Sequence, residues 1–170
     1  MQSAELDAAS IYADGKPARP LIVGVQLHDS RAVIAENGAL IELFRRDWWA
    51  STTDANVVVD QVFLRTLHAG ATSGWHVHAK TTDRLTVIAG VLKVLLYDDR
   101  VASASYRQSN TFLMGALRPQ LLIIPPGVWH VIQAQPQNAT LLNLVDHAYQ
   151  YDAPDHFRLP FDTSLIPVRI

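Results

Sequence analysis

The 170-residue sequence contains no cysteine, which excludes disulfides and thiolate metal sites and fits a cytoplasmic setting. It also lacks an excess of one charge. Fourteen basic residues stand against sixteen acidic ones, interspersed, for a formal charge of -2, so there is no electrostatic footprint for nucleic acid or an anionic membrane surface. Met1 to Ala13 carries acids and no apolar segment, so neither a signal peptide nor a membrane anchor is expected. Fixed-period repeats, low-complexity stretches and breaks in composition are absent as well. What is present is 49% hydrophobic residues, enough for one sizeable core and hence one domain.

That hydrophobic content comes in short pieces. Residues 1–20, ending Gly-Lys-Pro-Ala-Arg-Pro, read as a flexible N-terminal arm, and residues 21–170 as a single domain. Apolar runs then recur at Leu21–Leu27, Ala39–Phe44, Val57–Leu67, Leu85–Ile88, Val91–Tyr97, Thr111–Met114, Leu121–Ile124, Val131–Ala134 and Ala139–Val145, and each is expected to be a strand. Gly38, Gly70, Gly90, Gly115 and Pro125-Pro126-Gly127 fall between runs, where turns are needed. Many short strands spaced this way imply a sandwich or barrel. From Tyr149 on, Pro154, Pro160 and Pro167 alternate with scattered apolar residues, which predicts an irregular C-terminal strap able to lend a residue to a site.

The chemistry concentrates between Gly70 and Gly90. His76 and His78 are two apart, so on a strand both rings leave one face while Val77 leaves the other. Asp83 follows a polar Ala-Lys-Thr-Thr bend, and a returning strand can bring Asp83 or Arg84 back beside the histidines. Asp98-Asp99-Arg100 reads as a solvated turn. Arg45-Arg46-Asp47-Trp48-Trp49 reads as a loop at a subunit contact, with a grip on a diphosphate or base the lesser reading. His28, His68, His147 and His156 have no partner pattern and read as surface or satisfied core residues.

Glycine, five residues, His-x-His, four residues, an acid, six residues and glycine, followed by Pro125-Pro126-Gly127-Val128-Trp129-His130, resembles the two motifs of the cupin superfamily. Trp-His-Val-His-Ala-Lys-Thr-Thr-Asp at 75–83, Leu-Leu-Tyr-Asp-Asp-Arg at 95–100, Leu-Leu-Asn-Leu at 141–144 and Arg-Leu-Pro-Phe-Asp-Thr at 158–163 are similar to proteins related to dTDP-4-dehydrorhamnose 3,5-epimerase. The resemblance implies an all-β cupin jelly-roll barrel (a double-stranded β-helix), often a homodimer, whose interior binds a nucleotide-linked 4-keto sugar without a cofactor. It places the base on His76, the aspartate that orients it on Asp162, and the enolate-stabilising cation on Arg84, with Lys80 as substitute. The family tyrosine falls on Leu142, which cannot donate a proton, and the phosphate-binding arginine falls on Ser73. Tyr97 and Tyr106 could replace the acid if they face inward. His78, His130, Trp75 and Trp129 are expected to contact substrate.

A histidine starts near pKa 6.5 and suits proton abstraction beside a ketone at neutral pH, and an enolate needs a cation at its developing oxyanion. Loss of the tyrosine leaves a base and a stabiliser, enough for an isomerisation in which one base moves a proton between neighbouring carbons. Two alternatives stand beside this. His76, His78, Asp83 and His130 are the positions that bind a divalent metal in metal-holding cupins, with imidazole and carboxylate suiting iron, manganese, zinc or nickel, which would make the protein an oxygenase or a metal-assisted isomerase. Leu142 and Ser73 also fit a non-catalytic sugar-binding cupin.

Overall fold

The computed structural model describes residues 20–45, 48 and 59–170. The arm expected over residues 1–20 lies outside this range except for Pro20, as do Arg46, Asp47 and Trp49 of the basic, aromatic run. Twelve strands are formed: β1 (Gln26–Asp29), β2 (Ala32–Ala35), β3 (Gly38–Ile41), β4 (Gln61–Leu67), β5 (Trp75–Val77), β6 (Asp83–Ala89), β7 (Val91–Asp98), β8 (Ser109–Gly115), β9 (Gln120–Ile124), β10 (Val128–Ala134), β11 (Ala139–Val145) and β12 (Phe157–Leu159). They make two five-stranded sheets, ordered β1-β9-β6-β11-β4 and β12-β5-β10-β7-β8, with β2 and β3 as a separate hairpin. Every pairing between them is antiparallel. This is the expected jelly roll. No helix among the described residues is long and apolar enough to cross a membrane.

Alternation along the strands decides what faces inward. In β8, Asn110, Phe112 and Met114 are buried while Thr111 and Leu113 are exposed. Leu85, Val87, Leu122 and Leu141 of the first sheet meet Leu92, Val94, Leu96, Phe112, Met114 and Ile132 of the second in the main core. The unbroken apolar run of β9 is buried on both faces, because Leu121 and Ile123 are covered from outside by Phe44 and Trp48. Between β6 and β7, Gly90 has φ +69° and its missing Cβ would lie 2.3 Å from the Asn138 carbonyl. Only glycine fits that turn.

Three expectations are corrected. Leu21–Val25 is a turn rather than strand, closed by the Val25 amide on the Ile22 carbonyl, with Gly24 at φ +87°. The strand β2 was not anticipated, being short and exposed on every residue. The strap is not wholly irregular: β12 pairs with β5 in the register Phe157↔Val77, Arg158↔His76, Leu159↔Trp75, its flanking prolines marking the ends of the pairing rather than preventing it.

Candidate active site

Between the sheets, at the end bounded by β4 and β12, lies a cavity of about 500 Å³ lined by residues of β4, β5, β6, β10, β11 and the strap. Strand parity fills it with polar groups. His76 and His130 sit opposite each other in the β5/β10 register, with ring centroids 3.9 Å apart. Asp83 begins β6 and reaches both neighbouring imidazoles, its Oδ2 3.4 Å from His78 Nε2 and 3.2 Å from His130 Nε2. Asn143, from the middle of β11, donates its amide to Asp83 Oδ1 at 2.7 Å and accepts the Arg84 backbone N–H at 2.9 Å. The carboxylate is thereby fixed from both sides.

The far nitrogens of the three rings meet backbone carbonyls: His76 Nδ1 with Gly74 O at 3.3 Å, His130 Nδ1 with Val128 O at 3.1 Å, and His78 Nδ1 with Asp155 O. A carbonyl only accepts, so each Nδ1 carries a proton, while His78 and His130 turn their Nε2 atoms toward Asp83 Oδ2. Gly74, at φ +70°, makes the turn that presents its carbonyl, and a Cβ there would crowd Leu159 O at 3.3 Å. Burial pushes the pKa of His76 well below its ordinary value, helped by His130 and opposed by Asp83, so the ring is neutral at pH 7. Burial alone would raise Asp83, but the hydrogen bond and charge of His130, the charge of His78 and the Asn143 amide hold it below the usual carboxylate range.

The strap completes the site. The Asp155 carboxylate accepts the amides of Ala79, Lys80 and Thr81 at 2.8, 2.9 and 2.9 Å and the Thr81 hydroxyl at 2.9 Å. Next to it, His156 places its ring 5.0 Å from His76 and 4.9 Å from His78. Its Nε2 is buried without a hydrogen-bond partner among the described residues, and burial, then the charge of Arg158, pushes its pKa down to about 4. Sequence reasoning missed His156, Asp155 and Asn143. A signal existed for two of them: His156 and Arg158 repeat the i, i+2 spacing of His76 and His78, and Asn143 interrupts an apolar strand.

Of the residues expected at the site, His76, His78, Lys80, Asp83 and His130 line the cavity. Four others do not. Arg84, next to Asp83, points to the opposite face, where it is fully buried and bonds Asp146 Oδ2 at 3.1 Å, Thr82 O at 3.0 Å and Leu144 O at 3.3 Å. Trp75 and Trp129 alternate with His76 and His130, so both turn outward, into a second cluster with Leu95, Tyr97, Val131 and Ile166. Asp162 is exposed in the strap and away from the cavity, and the group that orients His76 is instead the Gly74 carbonyl. Leu142 also lies on the outer face of β11, so its chemistry does not bear on the cavity. Tyr97 is buried in the second cluster and Tyr106 is at the surface, whereas Tyr149 lines the rim. Asp98 is a fully buried anchor rather than part of a solvated turn, accepting from Arg100, Ser103 and Ser105.

The donor set also fits a divalent metal. The ligand nitrogens of His76, His78 and His130 lie within 4.8 Å of one another, and backbone acceptors on the far nitrogen are what orient metal-bound imidazoles. Asp83 Oδ2 faces the Nε2 atoms of two of those rings, an arrangement that a shared proton or a bound cation would satisfy.

A sequence model of the family described as dTDP-4-dehydrorhamnose 3,5-epimerase matches residues 21–165. Agl13 of Haloferax volcanii, described as a probable low-salt glycan biosynthesis epimerase, is 29% identical over 145 residues, covering 84% of this chain and 90% of that protein. A dTDP sugar isomerase from Desulfovibrio desulfuricans G20 has a crystal structure similar at TM-score 0.75 and 26% identity, covering 86% of this chain and 90% of the other. ChmJ, a 3'-monoepimerase from Streptomyces bikiniensis in complex with dTDP-quinovose, shares the fold at TM-score 0.74 and 20% identity, over 82% of this chain and 72% of its own. With the family pattern running through both sheets and the imidazole-lined cavity between them, the chain belongs to the dTDP-4-dehydrorhamnose 3,5-epimerase family.

Proposed function

We propose that the protein is an isomerase or epimerase of a nucleotide-linked 4-keto sugar and that His76 removes the proton from the carbon next to the ketone. The observation that carries this is the state of His76: neutral, tethered through Nδ1 to Gly74 O, with Nε2 open to a cavity of about 500 Å³, a size suited to a sugar. With Arg84 committed to Asp146, the cation for the enolate is Lys80. His156, neutral and unpartnered, can donate or accept a hydrogen bond at the same substrate. His78 and His130 hold Asp83 and contact the sugar.

The test is solvent exchange. In D₂O the wild type should wash deuterium into a dTDP-4-keto-6-deoxyhexose, and His76→Asn should lower that rate at least ~100-fold, the usual scale for a lost general base. Absence of exchange in the wild type overturns the reading. A second reading follows from the converging ring nitrogens: His76, His78, Asp83 and His130 hold a divalent ion that, when bound, would polarise the ketone as a Lewis acid. Metal analysis of the same preparation, with melting followed on chelation, separates the two.

The reading carries a cytoplasmic location and a homodimer. The dimer has a physical basis in β4, an edge strand whose Val62 and Leu64 expose 53% and 60% of their surface. Unpaired among the described residues, this apolar edge is a site for a second copy to cover.

A further inference from the structure

Strand alternation sorts the cavity into two unlike walls. On the second sheet, His76, His78 and His130 point inward, and Arg158 stands opposite His76 in the β12/β5 register. His156 lies two residues before Arg158 and so shares that inward face, with its ring 5.0 Å from His76 and 4.9 Å from His78. His130 completes the group, 3.9 Å from His76. Four imidazoles therefore stand side by side on one wall.

The wall across the cavity differs. There the first sheet presents Phe63, Leu85, Leu141 and Val145, which have no proton to give. Its polar members are occupied: Asn143 donates to Asp83, Asp83 faces His78 and His130 with its other oxygen, and Gln61 accepts the Tyr149 amide. Arg65, also on this wall, keeps its proton near pH 7. Lys80 belongs to neither wall. It lies in the connection between β5 and β6, where an ammonium meets the oxygen at the edge of an enolate rather than its carbon faces.

Inverting a carbon requires a base on one face of the enolate and an acid on the other. Among the described residues, both walls together supply imidazoles to one face. We infer that a proton leaves C3 and returns to C4 on the same face of the sugar, so that the ketone migrates from C4 to C3 and no existing centre is inverted. His76 breaks C3–H, the bonding pair becomes the C3–C4 double bond of an enediolate, and negative charge collects on the C4 oxygen beside Lys80. His156, whose Nε2 is buried without a hydrogen-bond partner among the described residues, carries the C3 hydroxyl proton to that oxygen as the C3 carbonyl forms and His76 gives its proton to C4. C3 is oxidised as C4 is reduced, so no outside oxidant enters. The inference rests on the nucleotide-sugar reading above and names its outcome as transposition.

The experiment follows a dTDP-4-keto-6-deoxyhexose with the full chain in D₂O by NMR, reading the position of the ketone and the carbons that carry deuterium. The wild type should give a 3-keto product without label at C5. His76→Asn should stop both exchange and migration. His156→Asn should slow migration about 100-fold while deuterium still enters C3, a split that a merely structural role would not produce. A 4-keto product inverted at C3 or C5 overturns the inference and leaves the isomerase or epimerase reading standing; if Tyr149→Phe suppresses that product, the acid is at the rim. Deuterium at C3 with the ketone unmoved and the configuration kept overturns the transposition as well. Equal losses of exchange and migration in His156→Asn remove the shuttle. A wild type that neither exchanges nor converts the substrate overturns both readings.

Discussion

At the scale of single residues, neighbouring positions were given opposite roles by strand alternation. Asp83 enters the cavity and Arg84 leaves it; His76 and His130 enter and Trp75 and Trp129 leave. The histidines were legible because their i, i+2 spacing fixes their common side whatever the register. The partners were not, because whether a cation beside an acid shares its face depends on where the strand begins. Asp98 illustrates a buried charge with a structural role. Burial opposes its ionisation, but bonds from Arg100, Ser105 and Ser103 hold its pKa below the usual range. A carboxyl depressed in the folded state stabilises fully above its unfolded pKa of about 3.9, and that contribution is lost as pH falls toward the folded value. Asp98→Asn should therefore cost about 3 kcal/mol at pH 7, on the scale of a broken buried pair, and should flatten the pH dependence of stability below pH 4. Chemical denaturation at pH 7 and pH 3 measures both effects; equal losses at the two pH values would contradict the assignment.

At the scale of elements, the strap is the piece whose order was least visible beforehand. Its prolines argued for irregular chain, and most of its length is irregular, yet three residues dock on β5 and one carboxylate gathers three consecutive amides. Such long-range pairing leaves no periodic trace in a three-residue strand. Asp155→Ala should remove those bonds at a cost of about 1–2 kcal/mol, speed amide hydrogen exchange at Ala79, Lys80 and Thr81, and reduce deuterium exchange into substrate more than it reduces melting temperature. Unchanged protection of those amides would mean the strap is held by other contacts. The main strands behaved differently: β7, β9 and β11 fell close to the expected runs, since apolar alternation and the turns between them agree.

At the scale of the whole molecule, hydrophobic period and turn placement pointed to a sandwich or barrel, and the resemblance carried by the two motifs narrowed this to the jelly roll. The assembly is a question for the first sheet. If β4 meets its counterpart in a second copy, Val62→Lys with Leu64→Glu should convert a dimer to a monomer in light scattering while keeping the fold by circular dichroism. A monomeric wild type would remove that arrangement.

The division of labour between barrel and strap has a consequence for biosynthesis. Both sheets and the main core, apart from β12, are encoded by Val145, whereas His156 and Arg158 follow it. A ribosome that stalled between these points would release a product missing one wall of its chamber and lacking the Leu159, Ile166, Val168 and Ile170 side chains that cover Trp75, Leu95 and Val131. Quality control that recognises exposed greasy surface would catch it, so for this architecture the segment that finishes the chamber also hides the apolar back of the sheet, and competence and solubility are gained together.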